Sequence, residues 1–141
     1  MAGQSDTVTA NYVLKFAQHS DYQYDRESIY AKEEYWKYPY QTLYDMSGDC
    51  EDKSFLFAAI MKKMGYDCVI FTVDTNGDAK LDHVAVGVNI PGLSGYSYNH
   101  DGKQYYYCET SYSAKVTGFA NDGNVGQKND PFVIIMAYSL P

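Results

Sequence analysis

A cysteine, a histidine and a glutamate in this sequence have the settings that nucleophilic catalysis requires. In Gly48-Asp-Cys-Glu-Asp-Lys-Ser54 the cysteine stands where a loop gives way to a helix. The thiolate is the attacking form, and a helix N-terminus lowers a thiol pKa through its unpaired N–H groups and partial positive charge. Gly48 is expected to let the chain turn tightly into that helix. Cys50 is thus a candidate nucleophile; the competing reading is a small core cysteine that happens to begin a helix. His83 opens the run Asp82-His-Val-Ala-Val-Gly-Val-Asn-Ile90. Alternation puts Val84, Val86, Val88 and Ile90 on one face and His83, Ala85, Gly87 and Asn89 on the other. The second face is small, which predicts that a helix packs closely on it and brings the thiol to the imidazole. Histidine activates a cysteine when a third group fixes its ring. Glu109, in Gln104-Tyr-Tyr-Tyr-Cys-Glu-Thr110, shares a face with Tyr105 and Tyr107 and is the candidate for that orienting role. Cys108 points the other way and reads, like Cys68, as core.

These residues need elements to position them. Residues 7 to 19 carry Val8, Tyr12, Val13, Phe16 and Ala17 at helical spacing, with Asp6 as the expected cap. Residues 20–39 are polar and tyrosine-rich, partly helical at most, and Pro39 marks a break. A helix from Cys50 to Met64 has Phe55, Leu56, Ala59, Ile60 and Met64 as its apolar stripe, Lys62 and Lys63 at its negative end, and Gly65 as its stop. The period then changes to two. Strands are predicted over Tyr66–Val73, Asp82–Ile90, Gln104–Ser111 and Pro131–Leu140, with a hairpin at 97–104 around Asp101-Gly102. Residues 118–130 read as a loop. Helices followed by an antiparallel sheet of four or five strands make an α+β class.

The motifs carry a family resemblance. Gly48-Asp-Cys-Glu-Asp52, the helix ending Met64-Gly-Tyr-Asp67, His83-Val-Ala-Val-Gly87 and Tyr106-Tyr-Cys-Glu-Thr110 resemble the bacterial and archaeal transglutaminase-like family. So do Tyr35-Trp-Lys-Tyr-Pro39 and Gln41-Thr-Leu43 ahead of the cysteine. The resemblance runs over roughly residues 10–112. It implies a papain-like core in which the nucleophile helix packs on an antiparallel sheet. It also implies a Cys-His-acid triad on Cys50, His83 and Glu109. Many members carry aspartate at the third position, and glutamate is one methylene longer. The implied activity is cofactor-independent acyl transfer on protein or peptide amides through a thioester. The backbone N–H of Cys50 and a side chain from the Trp36–Tyr44 segment, Trp36 or Tyr44, are the expected oxyanion donors. Trp36 reads equally well as a core or lid aromatic.

Composition narrows the partners. Of 141 residues, 11 are basic and 18 acidic, a net charge of −7 that disfavours nucleic acid or an anionic membrane as the main partner. No apolar run is long enough to span a bilayer. Sixteen tyrosines point to half-buried strands and an adhesive cleft, so a non-catalytic peptide- or glycan-binding module is the alternative function. The three cysteines lack metal-ligand spacing, and no metal or cofactor is expected. Asp74-Thr-Asn-Gly-Asp78 has the look of a calcium loop, yet Ala79 and Ala85 occupy the glycine and glutamate positions, so a hairpin turn is expected. The acidic run through Asp21, Asp25, Glu27, Glu33 and Glu34 reads as a solvated face. The start, Met1-Ala-Gly-Gln-Ser-Asp6, lacks the pattern of a signal peptide. The abrupt end after the Phe132–Tyr138 strand reads as one domain cut from a longer protein. That leaves the compartment open, outside the cytoplasm included, with cell-wall peptide as a substrate if the parent protein is exported.

Overall fold

The computed structural model describes residues 5–23, 36–111, 124–128 and 132–141. Most of the acidic run and of the 118–130 loop lie outside them. The elements are α1 (Asp6–His19), β1 (Asp21–Tyr22), α2 (Pro39–Asp45), β2 (Ser47–Gly48), α3 (Cys50–Lys63), β3 (Asp67–Asp74), β4 (His83–Asn89), β5 (Ser97–His100), β6 (Lys103–Cys108) and β7 (Val133–Ser139). β5-β6-β4-β3-β7 form one antiparallel sheet, and β1 pairs with β2 in a short parallel ribbon. The class is α+β, as the sequence pattern predicts.

Helix α1 is capped by Ser5, whose hydroxyl accepts from the Val8 amide at 3.3 Å, and not by Asp6. Asp6 instead takes the Tyr66 hydroxyl at 2.6 Å. The buried stripe is Ala10, Val13, Leu14 and Ala17, while Val8, Tyr12 and Phe16 are exposed. Two alanines among the four let α1 lie close to α3. Helix α2 was not foreseen. Tyr38 is extended, as the break at Pro39 predicts, and Pro39 then opens the helix, because a first helical position has no use for the missing N–H.

On α3 the predicted Leu56 is buried together with Phe57, Ala58 and Met61, Phe55 and Ile60 pack half-buried against the core, and Ala59 and Met64 are exposed. The predicted stripe is rotated from the true one because polar Asp52, Lys53 and Ser54 are buried and hydrogen-bonded. The helix starts with a capping box: Asp49 accepts from the Asp52 amide at 3.3 Å and Asp52 from the Asp49 amide at 3.4 Å. Gly48 serves this start by leaving space, since a Cβ there would fall 2.6 Å from the Asp52 Cβ. Gly65, with φ 97°, follows the helix end as predicted.

Each sheet face has its own core. Ile70, Val86, Val88 and Tyr106, with Cys68 and Cys108, pack against α1 and α3. Phe71, Ala85, Tyr105, Tyr107 and Ile134 form the second cluster on the opposite face. The helix therefore covers the valine face of β4, correcting the expectation that it covers the small face. That small face is filled by rings: a Cβ on Gly87 would meet Phe71 Cζ at 2.4 Å and Tyr105 Cβ at 2.8 Å. The β3–β4 turn is tied by its own side chains. Asp74 accepts from the amides of Asn76, Gly77 and Ala79, and Asp82 accepts from the amide and hydroxyl of Thr75.

Candidate active site

His83 is the first residue of β4, and β4 pairs with β3 on one side and β6 on the other. Glu109 lies just past the end of β6, so the Val86–Cys108 pairing brings the two side chains together. The Nε2 of His83 donates to Glu109, at 2.8 Å from Oε1 and 3.0 Å from Oε2. Glu109 is buried, and its carboxylate collects further donors: the Tyr107 hydroxyl at 2.6 Å on Oε2, and the Ser111 hydroxyl at 2.6 Å on Oε1. Burial alone would raise this carboxyl. The charge of His83 and hydrogen bonds from His83, Ser111 and Tyr107 outweigh burial and hold it below its ordinary value. Burial likewise pulls the His83 imidazole down, but the charge and hydrogen bond of Glu109, with smaller contributions from Asp82 and Glu51, leave it raised. The Phe132 ring packs on the imidazole at 5.8 Å between centroids.

Cys50 is the first residue of α3 and is buried. Ser54, one turn along, hydrogen-bonds the Val84 carbonyl at 3.4 Å and Thr110 Oγ1 at 2.9 Å, which fixes α3 beside the strand ends bearing His83 and Glu109. The thiol does not contact His83 by a hydrogen bond among the described residues; Sγ donates to Glu51 Oε2 at 3.1 Å. Burial, then the Glu51 carboxylate, push the thiol pKa up, and the Val84 backbone amide acts in the opposite direction. The expectation of an acidic thiol at a helix start is therefore reversed in this arrangement. Poor solvation is the largest cause, followed by the acids on either side of the cysteine. Asp49 is one of them, raised to about 8 by burial, by its hydrogen bond to Glu51 and by the charges of Glu51 and Asp52.

The two side chains expected as oxyanion donors, Trp36 and Tyr44, are both exposed. Trp36 is 65% exposed with its ring 6.1 Å from Phe55, in a groove that also includes Pro39, Ala58 and Leu140. Tyr44 is 89% exposed, beside Tyr40, Gln41 and Leu43. Cys50 and His83 line neither groove. The Cys50 amide, at the first position of α3, is one of the N–H groups that have no acceptor within the helix.

Sequence reasoning put Tyr107 on the face of Glu109 without assigning its hydroxyl, and missed Ser111, Glu51 and Phe132 as neighbours of the candidate residues. The two-residue spacing of Tyr107, Glu109 and Ser111 was a signal for Ser111 as well. A buried lysine is a further surprise. The Lys53 ammonium donates to the carbonyls of Ser20 at 2.9 Å and Gln18 at 3.3 Å. Burial lowers its pKa to about 8 against the opposing charges of Glu109 and Asp21. Among the described residues, no group of three or more His, Cys, Asp or Glu side chains could hold a metal ion, and no helix is long and apolar enough to cross a membrane.

Residues 1–120 match the family model of the transglutaminase-like domain. Among solved structures, the chain is similar to a protein from Cytophaga hutchinsonii described as a "putative cysteine protease", at 13% identity and a TM-score of 0.47. That likeness covers 95% of this chain and 44% of the other, so the chain spans less than half the length of that protein. No curated protein matches the chain.

Proposed function

The chain belongs to the transglutaminase-like domain family, and from that premise we propose a cysteine-dependent acyl-transfer enzyme acting on protein or peptide amides. Cys50 is the nucleophile, His83 the base and acid, and Glu109 the orienting carboxylate. One observation carries the proposal: Glu109 engages Nε2 of His83 at 2.8 Å, which fixes the ring and leaves Nδ1 as the nitrogen for a thiol. In this scheme the Cys50 thiol leaves Glu51, gives its proton to Nδ1, and adds as thiolate to the carbonyl carbon. The C–N bond breaks as Nδ1 returns the proton to departing ammonia or amine, and a thioester remains. Water, deprotonated at Nδ1, then splits the thioester, releasing the acid and restoring the thiol. A second amine in place of water gives transamidation. Hydrolysis or deamidation is the preferred outcome, because cross-linking needs water kept from the thioester and the residues assigned to the site include no device for that.

The test is alkylation of Cys50 by iodoacetamide between about pH 4 and 9, in the parent and in His83→Ala, with the label located by mass spectrometry. Reaction below about pH 7 that is lost with His83 supports the triad, and release of ammonia from glutamine peptides would then separate deamidation from proteolysis. A second reading is a peptide- or glycan-binding module with an idle thiol. It is favoured by the exposed Trp36, Tyr38, Tyr40 and Tyr44 and by the Cys50–Glu51 hydrogen bond. It predicts a thiol titrating at about pH 8.5 or above and indifferent to His83.

A further inference from the structure

Resting on that triad, we propose that Tyr107 and Ser111 are positioning residues that clamp Glu109 from both sides and thereby set the basicity of His83. The three residues are spaced two apart from the end of β6 onward, and both hydroxyls reach the Glu109 carboxylate. Each carboxylate oxygen has one hydroxyl donor at 2.6 Å, Tyr107 on Oε2 and Ser111 on Oε1. The Ser111 amide adds a longer contact to Oε1 at 3.4 Å. A glutamate side chain has one more rotatable bond than aspartate, and its terminal torsion is broad. Held by a hydroxyl on each oxygen, the carboxylate keeps both oxygens within 3.0 Å of Nε2.

The donors are themselves fixed. Tyr107 is fully buried, its ring stacked on Phe71 at 6.2 Å and edge-on to Tyr96 at 6.3 Å. Ser111 is buried, and its hydroxyl also lies 3.5 Å from Nε2. The groups facing His83 are Glu109, Asp82 and Glu51. Those facing Glu109 are His83, the two hydroxyls, Lys53 from α3 and Cys108. The hydroxyls are uncharged at neutral pH, so removing them alters donor count and orientation without altering charge.

The experiment compares Tyr107→Phe, Ser111→Ala, their double variant and Ser111→Thr, which retains the hydroxyl. The His83 ring is titrated by NMR, with its signals separated from those of His19 and His100 by means of His83→Gln. The expected result is a His83 pKa lowered by about half a unit to one unit in each single variant, and further in the double. Ser111→Thr should stay near the parent. Iodoacetamide labelling of Cys50 at pH 7 should slow by roughly three- to tenfold in each single variant. A packing role alone would lower stability and leave the titration where it was. A lowered value requires the carboxylate to turn away from Nε2. An unchanged His83 pKa, or one raised because an unmoved carboxylate has lost a competing donor, overturns the inference in folded single variants. These decide the matter if the double variant does not fold. Should Cys50 labelling prove indifferent to His83→Ala, the enzyme reading falls, while the titration still decides whether the clamp exists.

Discussion

Ser54 and Thr110 meet hydroxyl to hydroxyl at 2.9 Å, in a buried contact that joins the nucleophile helix to the segment carrying Glu109. Ser54 also reaches the Val84 carbonyl, next to His83. One small side chain thus sits among all three proposed catalytic residues.

Removing one partner of that pair leaves the other buried without it. Ser54→Ala is expected to cost about 1–3 kcal/mol in urea unfolding, whereas Ser54→Ala with Thr110→Val recovers most of the loss because neither hydroxyl is then stranded. Equal destabilisation in the single and double variants would count against the contact.

Glu51 holds the thiol and raises its pKa. Glu51→Gln removes the charge while keeping the shape. The pH at which Cys50 reaches half its maximal alkylation rate should move down by about one unit. If it stays or rises, the carboxylate does not hold the thiol in solution.

The His83–Glu109 pair makes stability depend on pH. Glu109 is lowered from 4.5, so its contribution is complete above that value and fades as pH falls through it. His83 is raised from 6.5, so its contribution is complete below that value and fades as pH rises past it. The pair contributes most between the unfolded-state values of 4.5 and 6.5. The unfolding free energy of the parent minus that of Glu109→Gln should peak in that window and shrink towards pH 9. A difference that grows steadily above pH 7 would falsify the assignment.

At Gly87 the aromatic cluster packs directly on β4. Gly87→Ala would push a methyl group into Phe71 and the Tyr105 side chain. A loss of about 1–3 kcal/mol is expected from overpacking. Denaturation midpoints measure it, and a neutral substitution would mean that the rings give way easily.

Much of this arrangement is legible from residue types. Cys50 after Gly48-Asp49, His83 at the head of an alternating strand and Glu109 beside tyrosines stand out by position as candidates, and the fold brings His83 and Glu109 into contact. The strands follow from the switch in period after Gly65, but β6 stops at Cys108 rather than at Ser111, which leaves Glu109 beyond the strand end. The packing face does not follow, because both faces of β4 are apolar and only the long-range placement of Phe71 and Tyr105 decides which one a helix can cover. The stripe on α3 was misjudged for a related reason. Lys53 and Ser54 are polar by type but buried by partnership, and their partners Ser20 and Thr110 lie 33 and 56 residues away. Glu51 illustrates another limit: a neighbour in sequence can oppose a helix terminus once burial removes the solvent that would screen it.

Gln18, near the end of α1, touches both sides of the site. Its carbonyl accepts from Lys53, one turn along the helix from Cys50, and its side-chain amide donates to the Glu109 carbonyl at 3.0 Å. The cysteine helix and the carboxylate segment are therefore referenced to a common fixed point outside the sheet. Were α1 to shift, its end would carry both in the same direction. The displacement enters as a shared translation, and the separation that the chemistry depends on is the quantity least disturbed.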